Sequence, residues 1–436
     1  MAKKTKAASL TIEEKLEQAL VVPGYEPYKI PDNWCWLKLL ASFDNCTDSK
    51  KKIQQKKYLK DGAWTIIDQG KQEVGGYTND EALLYSGILP VIIFGDHTRC
   101  IKYIDFPFAQ GADGVKVLRP KSFYSPKLFY YALQSVEIPN LGYRRHFPIF
   151  DRFAIPLPPL PEQHRIVERI ESLFSKLDEA KEKAQEVIDS FETRKAAILH
   201  KAFSGELTAK WREENGVGIE SWERKRISEC CKLGSGGTPS RKNPNYYTGD
   251  IPWIKTGEIN WNTVNYSEES ITQEAIDNSS AKVYAPGAVL VAMYGMGITR
   301  GKAAILGIEA TTNQAVCVLQ PKGYLFNRYL YFFFMCNYWD IREQAVGGNQ
   351  LNLSATIIGK LNIDIPNLEE QYVITELLDS IIEKEYQTKQ IAESVIDQID
   401  AMKKAILARA FRGELGTNDP EEESAVELLK QILSGE

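Results

Sequence analysis

The sequence predicts an α+β fold built as a tandem: two mixed α/β globules separated by two long antiparallel coiled-coil helices and related by a pseudo-twofold axis. Three observations lead there. Residues 161–207, opening PEQHRIVERI and closing AFSGEL, recur at 369–415 as EEQYVITELL and AFRGEL, with Gln163 and Gln371, Ala184 and Ala392, and Phe203 and Phe411 each 208 positions apart. Both copies carry core positions stepping by four and three, first Ile166, Ile170, Leu173, Leu177, Ala180, Ala184, Val187, Phe191, Arg194 and Ile198, then Ile374, Leu378, Ile381, Glu385, Thr388, Ala392, Val395, Ile399, Met402 and Ile406. The regions before each copy also match: each starts at a tryptophan (PDNW ending at Trp34, IESW ending at Trp222), then carries VLxPK (117–121 and 318–322) and an aromatic helix, LFYYAL or YLYFFF.

A seam of that period keeps one stripe of a helix against a partner. Only Arg194, Glu385 and Thr388 are plainly polar in the two seams, so the helices are expected to pair with each other. An oligomerisation hairpin would carry the same seam, but the repeated flanks favour an internal tandem. Pro161 suits a first helical turn, where its missing N–H has no partner, and Gly205 and Gly413 suit the C-terminal caps. Roughly 44 residues at about 1.5 Å each make a rod of about 66 Å.

In chain order, residues 1–24 read as a basic N-terminal arm and short helix, with Thr11 and Glu14 in capping-box spacing. Residues 25–158 form the first globule, with β-type runs at 64–68, 89–95 and 114–118 and a helix over 126–134 opened by Ser125 and Pro126. The first helical segment occupies 159–215, the second globule 216–366, the second helical segment 367–415 and an acidic C-terminal tail 416–436.

Composition narrows the class. The 436 residues are 43% hydrophobic and 25% charged, enough for two or three folded domains and too apolar for disorder beyond the ends. No apolar run approaches the roughly 18 residues of a membrane span, and the N-terminus lacks the apolar core of a signal peptide, so a cytoplasmic location is expected. Seven cysteines without a CxxC and only four histidines give no metal-ligand spacing and suit free thiols in a reducing compartment. The net charge of −5 argues weakly against an unassisted nucleic-acid binder, yet residues 38–60 hold seven lysines against two aspartates. Local patches decide phosphate attraction, because screening acts over about 10 Å.

The sharpest strings sit in loops: GGYTND (75–80), FGDHTR (94–99) and GYRRHF (142–147) in the first globule, and GSGGTPSRKNPNYY (234–247), YGMGITRG (294–301) and GGNQLN (347–352) in the second. Glycine permits close backbone approach, and Arg, Asn, Gln, Thr and His read base edges or phosphates. Any one loop is equally well ordinary turn chemistry. NPNY at 243–246 resembles the NPPY of adenine methyltransferases, but the second proline and an upstream S-adenosylmethionine glycine motif are missing, which makes it a polar loop. No phosphate-binding GxxxxGK[ST] loop, nuclease carboxylate–lysine cluster or nucleophile–base pairing is present, so no catalytic residue and no metal site is expected.

Over nearly its whole length the chain resembles the specificity subunit of type I restriction-modification systems. The features that carry this are PLPPLPEQHRIVERI with IPNLEEQYVITELL, KAAILHKAFSGEL with KKAILARAFRGEL, and GGTPSR followed by IPWIKTGEI at 251–259. The resemblance implies two target-recognition domains, each reading one half of a split double-stranded DNA sequence. It implies spacer helices that set the gap and dock two methyltransferase subunits and, through them, restriction subunits. S-adenosylmethionine then belongs to the methyltransferase partner, ATP and magnesium to the restriction partner, and no cofactor to this chain. One half-site would be read around Tyr77, Asp96, His97, Thr98, Arg99, Arg144, Arg145 and His146, with Lys50, Lys51 and Lys52 on phosphates. The other would be read around Ser235, Thr238, Ser240, Arg241, Lys255, Arg300, Asn349 and Gln350.

Three readings compete. A self-contained methyltransferase would bind S-adenosylmethionine alone, and a DNA-free coiled-coil scaffold would tolerate loss of Arg144, Arg145, Arg241 and Arg300. A stand-alone DNA-binding regulator would occupy one contiguous site without methyltransferase partners.

Overall fold

The structure, a computed structural model, describes residues 11–112, 114–295, 297–345 and 352–435. Two compact units emerge, one combining the chain up to Ala184 with Ser394 onward, the other formed by Gln185–Glu393. Both divisions fall inside long helices, so each unit joins a globule to one antiparallel stretch of helix pair.

In the first unit, a four-stranded antiparallel sheet runs in the order Phe43–Asn45, Val115–Pro120, Val91–Gly95, Ile101–Ile104. A three-stranded sheet places Trp64–Ile67 between antiparallel Gly76–Thr78 and parallel Phe108–Gln110. Cys35–Lys38 pairs with Ala154–Leu157. The VLxPK string is the central strand of the larger sheet because its Val117 and Leu118 face Ile93 and Ile92 and are fully buried. Helix Pro126–Ser135 packs its Leu128, Phe129 and Leu133 into the core with Ile166 and Ile170 of the long helix.

The second unit repeats this topology with one strand, Thr263–Val264, added parallel to the edge of the larger sheet. A five-stranded sheet runs Cys231–Ser235, Val316–Pro321, Val289–Ala292, Ala303–Leu306, Thr263–Val264, beside a three-stranded sheet centred on Ile251–Ile254. Glu223–Arg226 pairs with Asn362–Ile365, and the aromatic helix Asn327–Cys336 buries Tyr329 and Phe334 completely.

The repeated Glu-Gln of PEQHR and EEQYV is a joint. Gln163 donates from Nε2 to the Phe123 and Pro158 carbonyls and accepts the Ser125 N–H, while Gln371 treats the Tyr324 and Pro366 carbonyls and the Phe326 N–H identically. Each glutamine thus ties its long helix to the start of the aromatic helix. Ser125 was expected to cap with its hydroxyl; no such bond forms, and the Ser125 N–H donates to Gln163 Oε1. The preceding glutamates are fully buried and receive the two repeated tryptophans: Trp34 Nε1 to Glu162 at 2.6 Å and Trp222 Nε1 to Glu370 at 2.9 Å. Glu162 also accepts from Thr417 and Asn418, and Glu370 from Thr208 and from Arg212 at 2.7 Å. Buried carboxylates persist because every oxygen is hydrogen-bonded.

Gly205 and Gly413 adopt φ of 82° and 76°, and a Cβ at either would sit 2.4 Å from Ile219 or Pro31, so only glycine fits there.

Four expectations need correction. The first long helix is not continuous: Leu160–Asp189 and Phe191–Phe203 meet at Ser190, whose hydroxyl bonds back to the Glu186 carbonyl, a contact that bends helices. The second, Leu368–Ala410, is unbroken. Within the seams Ala180, Thr388 and Met402 are exposed, and Ile382 rather than Ile381 is buried. A helix of 3.6 residues per turn drifts by about 20° per heptad from a strict 3.5 repeat, which shifts the buried stripe by such single steps. The polar seam residues Arg194 and Glu385 are each other's partners at 2.8 Å.

Residues 416–436 are no loose acidic tail. Helix Ala425–Ser434 buries Ala425 and Leu429 in the first unit's core, Lys15 bonds the Leu433 carbonyl, and Glu422 forms a two-pronged pair with Arg165 at 2.8 Å. Its apolar positions at 425, 429 and 432 recur at helical spacing, a signal masked by the acidic run before it.

The N-terminal helix Ile12–Ala19 carries the expected Thr11–Glu14 capping box. No helix among the described residues is long and apolar enough to cross a membrane.

Candidate nucleic-acid interface

In the first unit, strands Val91–Gly95 and Ile101–Ile104 form a hairpin whose turn holds Asp96, His97, Thr98 and Arg99. Thr98 donates to the Gln69 carbonyl at 2.5 Å, the His97 amide donates to Gln69 Oε1 at 3.2 Å, and Arg99 takes φ of 61°. This turn meets the 141–147 loop: the His97 ring Nδ1 lies 3.1 Å from the Tyr143 carbonyl. Structure therefore gathers the FGDHTR and GYRRHF strings on one edge. Tyr143 is completely exposed, and Arg144 and Arg145 face solvent beside it.

Asp96 and His146, expected as base readers, are interior instead. Asp96 is buried, accepting the Phe147 N–H at 2.7 Å and lying 3.9 Å from the Lys116 ammonium. His146 is fully buried, with Nδ1 at 2.8 Å from the Asp96 carbonyl and Nε2 accepting the Leu141 N–H at 3.1 Å. Those two bonds assign the neutral tautomer with the proton on Nδ1, and they leave no ring atom for a ligand.

Tyr77 lies on the edge strand Gly76–Thr78 of the neighbouring three-stranded sheet, and Lys50, Lys51 and Lys52 lie in the loop that precedes Ile53, which bridges to Gly111. Tyr77 is half-buried and bridges Leu59; Lys50 is exposed, Lys52 half-buried, and the Lys51 ammonium is engaged by the Leu84 carbonyl at 2.8 Å.

In the second unit the glycine-rich turn is locked from below. A Cβ at Gly236 would lie 1.9 Å from the Thr312 carbonyl oxygen, Trp253 Nε1 donates to the Gly237 carbonyl at 2.9 Å, and the Tyr247 hydroxyl donates to the Pro239 carbonyl at 2.7 Å. Ser235, Thr238 and Ser240 are thereby left exposed on its rim. NPNY is a short 3-10 turn capped by the Asn243 side chain.

Arg241 stacks 3.9 Å over the Tyr247 ring and pairs with Glu269 at 2.7 Å; Lys255 bridges Glu268 and Glu269 at 3.0 and 3.1 Å. The family resemblance placed these two cations among the residues reading the second half-site; here both are paired with carboxylates. Burial pushes the Glu269 carboxyl up, but Lys255 and Arg241 outweigh it and hold the group below its usual range; the hydrogen bonds Lys255 donates to Glu268 and then to Glu269 raise Lys255. A depressed carboxyl lends its tie at neutral pH and loses it only as pH falls through that lowered value. The cluster is consequently net neutral near pH 7. Arg300 sits at the base of the second hairpin turn, and Asn349 and Gln350 lie outside the described residues.

Gln69, Glu268, Glu269, Tyr338 and Arg342 escaped sequence reading. Their partners are 28 to 45 positions away in four cases, and no short-range pattern marks them.

Two repeats of closely similar topology that present different exposed loops make this a tandem two-domain protein. Residues 47–189 and 219–395 match the type I restriction modification DNA specificity domain, and the chain belongs to that family of specificity subunits. The type I restriction enzyme EcoR124I/EcoR124II specificity subunit of Escherichia coli is 25% identical over 383 residues, 85% of this chain and 91% of the relative. The HsdS subunit of Thermoanaerobacter tengcongensis shares the fold at 18% identity, covering 89% of this chain and 99% of that one with a TM-score of 0.56. A chain solved for the complex assembly and conformational transition of the type I R-M system covers 89% and 100% with a TM-score of 0.62 and 18% identity.

Proposed function

We propose that each unit of this specificity subunit reads one half of a split DNA target, and that the helix pairs set the gap between the halves and dock two adenine-methyltransferase subunits. The observation that carries this is the contrast between like scaffolds and unlike edges. The first unit presents His97, Thr98, Arg144 and Arg145, the second Ser235, Thr238 and Ser240, on sheets that share their strand order apart from the added edge strand Thr263–Val264. One scaffold with two loop chemistries suits two different half-sequences.

Within each unit exposed cations would anchor phosphates while hydroxyl and imidazole groups reach base edges. Lys50, Arg144 and Arg145 are the accessible anchors of the first unit. In the second, Arg241 and Lys255 would engage phosphate only by exchanging partners with Glu268 and Glu269. Methylation and cleavage chemistry would reside in partners, with S-adenosylmethionine in the methyltransferase and ATP and magnesium in a restriction subunit. This chain would contribute no catalytic group, and the complex would act in the cytoplasm, where its DNA is.

Salt titration tests the anchoring roles. Arg144→Ala with Arg145→Ala is expected to weaken binding of the assembled complex on every sequence and to lower the salt slope by about 2, roughly one for each phosphate no longer neutralised. Arg241→Ala with Lys255→Ala should lower it by less, since both cations start out neutralised. An unchanged slope in the first pair contradicts the reading.

A further inference from the structure

The two units fix the same hairpin turn with unrelated chemistry. In the first, the turn after Gly95 is held by the buried His146 imidazole on the Asp96 carbonyl and by the Phe147 amide on the Asp96 carboxylate. In the second, strands Val289–Ala292 and Ala303–Leu306 form the corresponding hairpin, and its turn is held by Tyr338 and Arg342 of helix Tyr338–Glu343. Arg342 Nη2 donates to the Gly297 carbonyl at 2.6 Å, its Nη1 donates to the Arg300 carbonyl, and the Tyr338 hydroxyl donates to the Ile298 carbonyl. The guanidinium also lies 5.2 Å over the Tyr338 ring and 3.2 Å from its hydroxyl. In both units the staple comes from the segment that follows the aromatic helix. Two different solutions at one topological place indicate that a fixed turn is what the fold must deliver.

What the second turn delivers is Ile298, 62% exposed although three carbonyls around it are pinned. Single exposed apolar residues are ordinary on a protein surface; what sets Ile298 apart is that a guanidinium and a phenol hold the carbonyls of its turn, so presenting it for contact costs little further ordering. Isoleucine has neither donor nor acceptor, and the apolar feature on the edge of a base pair in the major groove is the thymine methyl group.

Resting on the reading of the second unit as a half-site reader, we infer that Ile298 is a specificity-determining residue that contacts the 5-methyl group of a thymine. Tyr338 and Arg342 are its positioning residues. Its counterpart in the first unit is His146, which acts through the turn and touches no base.

The experiment uses the full chain assembled with its methyltransferase subunit and the target duplex found by methylation mapping. Each thymine is replaced in turn by deoxyuridine, which deletes one methyl group and no hydrogen bond. Wild type is expected to lose about four-fold in affinity at one thymine of one half-site, the worth of one buried methyl. Ile298→Ala should be indifferent to that replacement. Arg342→Ala should lose most of the discrimination while leaving the other half-site unaffected, with Arg342→Lys recovering part of it. A flat scan, a half-site without thymine, an Ile298→Ala complex that still discriminates, or an Arg342→Ala complex that discriminates fully overturns the inference. A wild-type complex with no split-sequence preference at all overturns the parent reading instead. Ile298 is a solvent-facing tip, so its variant folds, and the thermal melt of Arg342→Ala separates loss of positioning from loss of structure.

Discussion

Glu370→Ala is expected to destabilise the second unit by about 3–5 kcal/mol, because it strands a buried guanidinium. Arg212 pairs with Glu370 at 2.7 Å, and the two side chains are 10% and 0% exposed, so no water replaces the missing carboxylate. Trp222 and Thr208 lose an acceptor in the same change. For a unit of about 200 residues this corresponds to a fall in melting temperature on the order of 10 °C. Glu162→Ala, at the matching position of the first unit, removes the acceptor of Trp34, Thr417 and Asn418 but leaves no cation behind. Its cost should be smaller, about 1–3 kcal/mol. Thermal or denaturant unfolding of the two variants checks the order, and equal destabilisation would contradict the assignment of Arg212 as the source of the difference.

Inserting one heptad into each long helix, at the solvent-facing stretches near 180 and 388, should lengthen the unspecified gap of the DNA target without altering either half-sequence. Seven residues add about 10 Å at 1.5 Å each, or roughly three base pairs at about 3.4 Å per step. A whole heptad keeps the buried stripe in phase, whereas four or three inserted residues have to be absorbed by local unwinding or overwinding of the helix pair. Methylation mapping of the insertion variant reads the gap directly, and an unchanged gap removes the helices from the role of spacer.

Much of the architecture was legible because repetition is a long-range signal that needs no knowledge of which residues touch. The 208-residue offset, the paired tryptophans and the VLxPK strings locate both long helices and the repeat of the two globules from the sequence alone, and the β-type run at 114–118 falls on a central strand of the first. Their purpose was not legible: that Gln163 and Gln371 clamp the aromatic helices, and that Glu162 and Glu370 seat the tryptophans, depends on residues brought together across 38 to 148 positions. Ser190 escaped notice because a single serine is compatible with helix until its hydroxyl bonds back. The C-terminal helix escaped because five acidic or polar residues precede a short amphipathic stretch whose partners, Lys15 and Asn33, lie at the far end of the chain.

The candidate interface was legible as strings and not as roles. FGDHTR and GYRRHF do meet, yet in each a residue type suited to reading bases, Asp96 and His146, is consumed in holding the loops together. Whether a polar side chain faces out or in depends on which backbone groups need partners, and a buried turn needs many. Arg241 and Lys255 met the carboxylates Glu268 and Glu269 for the converse reason: cations fixed at a rim are stabilised by nearby anions, and sequence distance hides them.

The most direct measurement is to co-express the chain with its methyltransferase subunit in a methylation-free host and map modified adenines by long-read sequencing. Two short specific halves separated by a fixed unspecified gap are the predicted result. A contiguous motif, or a stable complex that methylates without sequence preference, would contradict the assignment of one half-site to each unit.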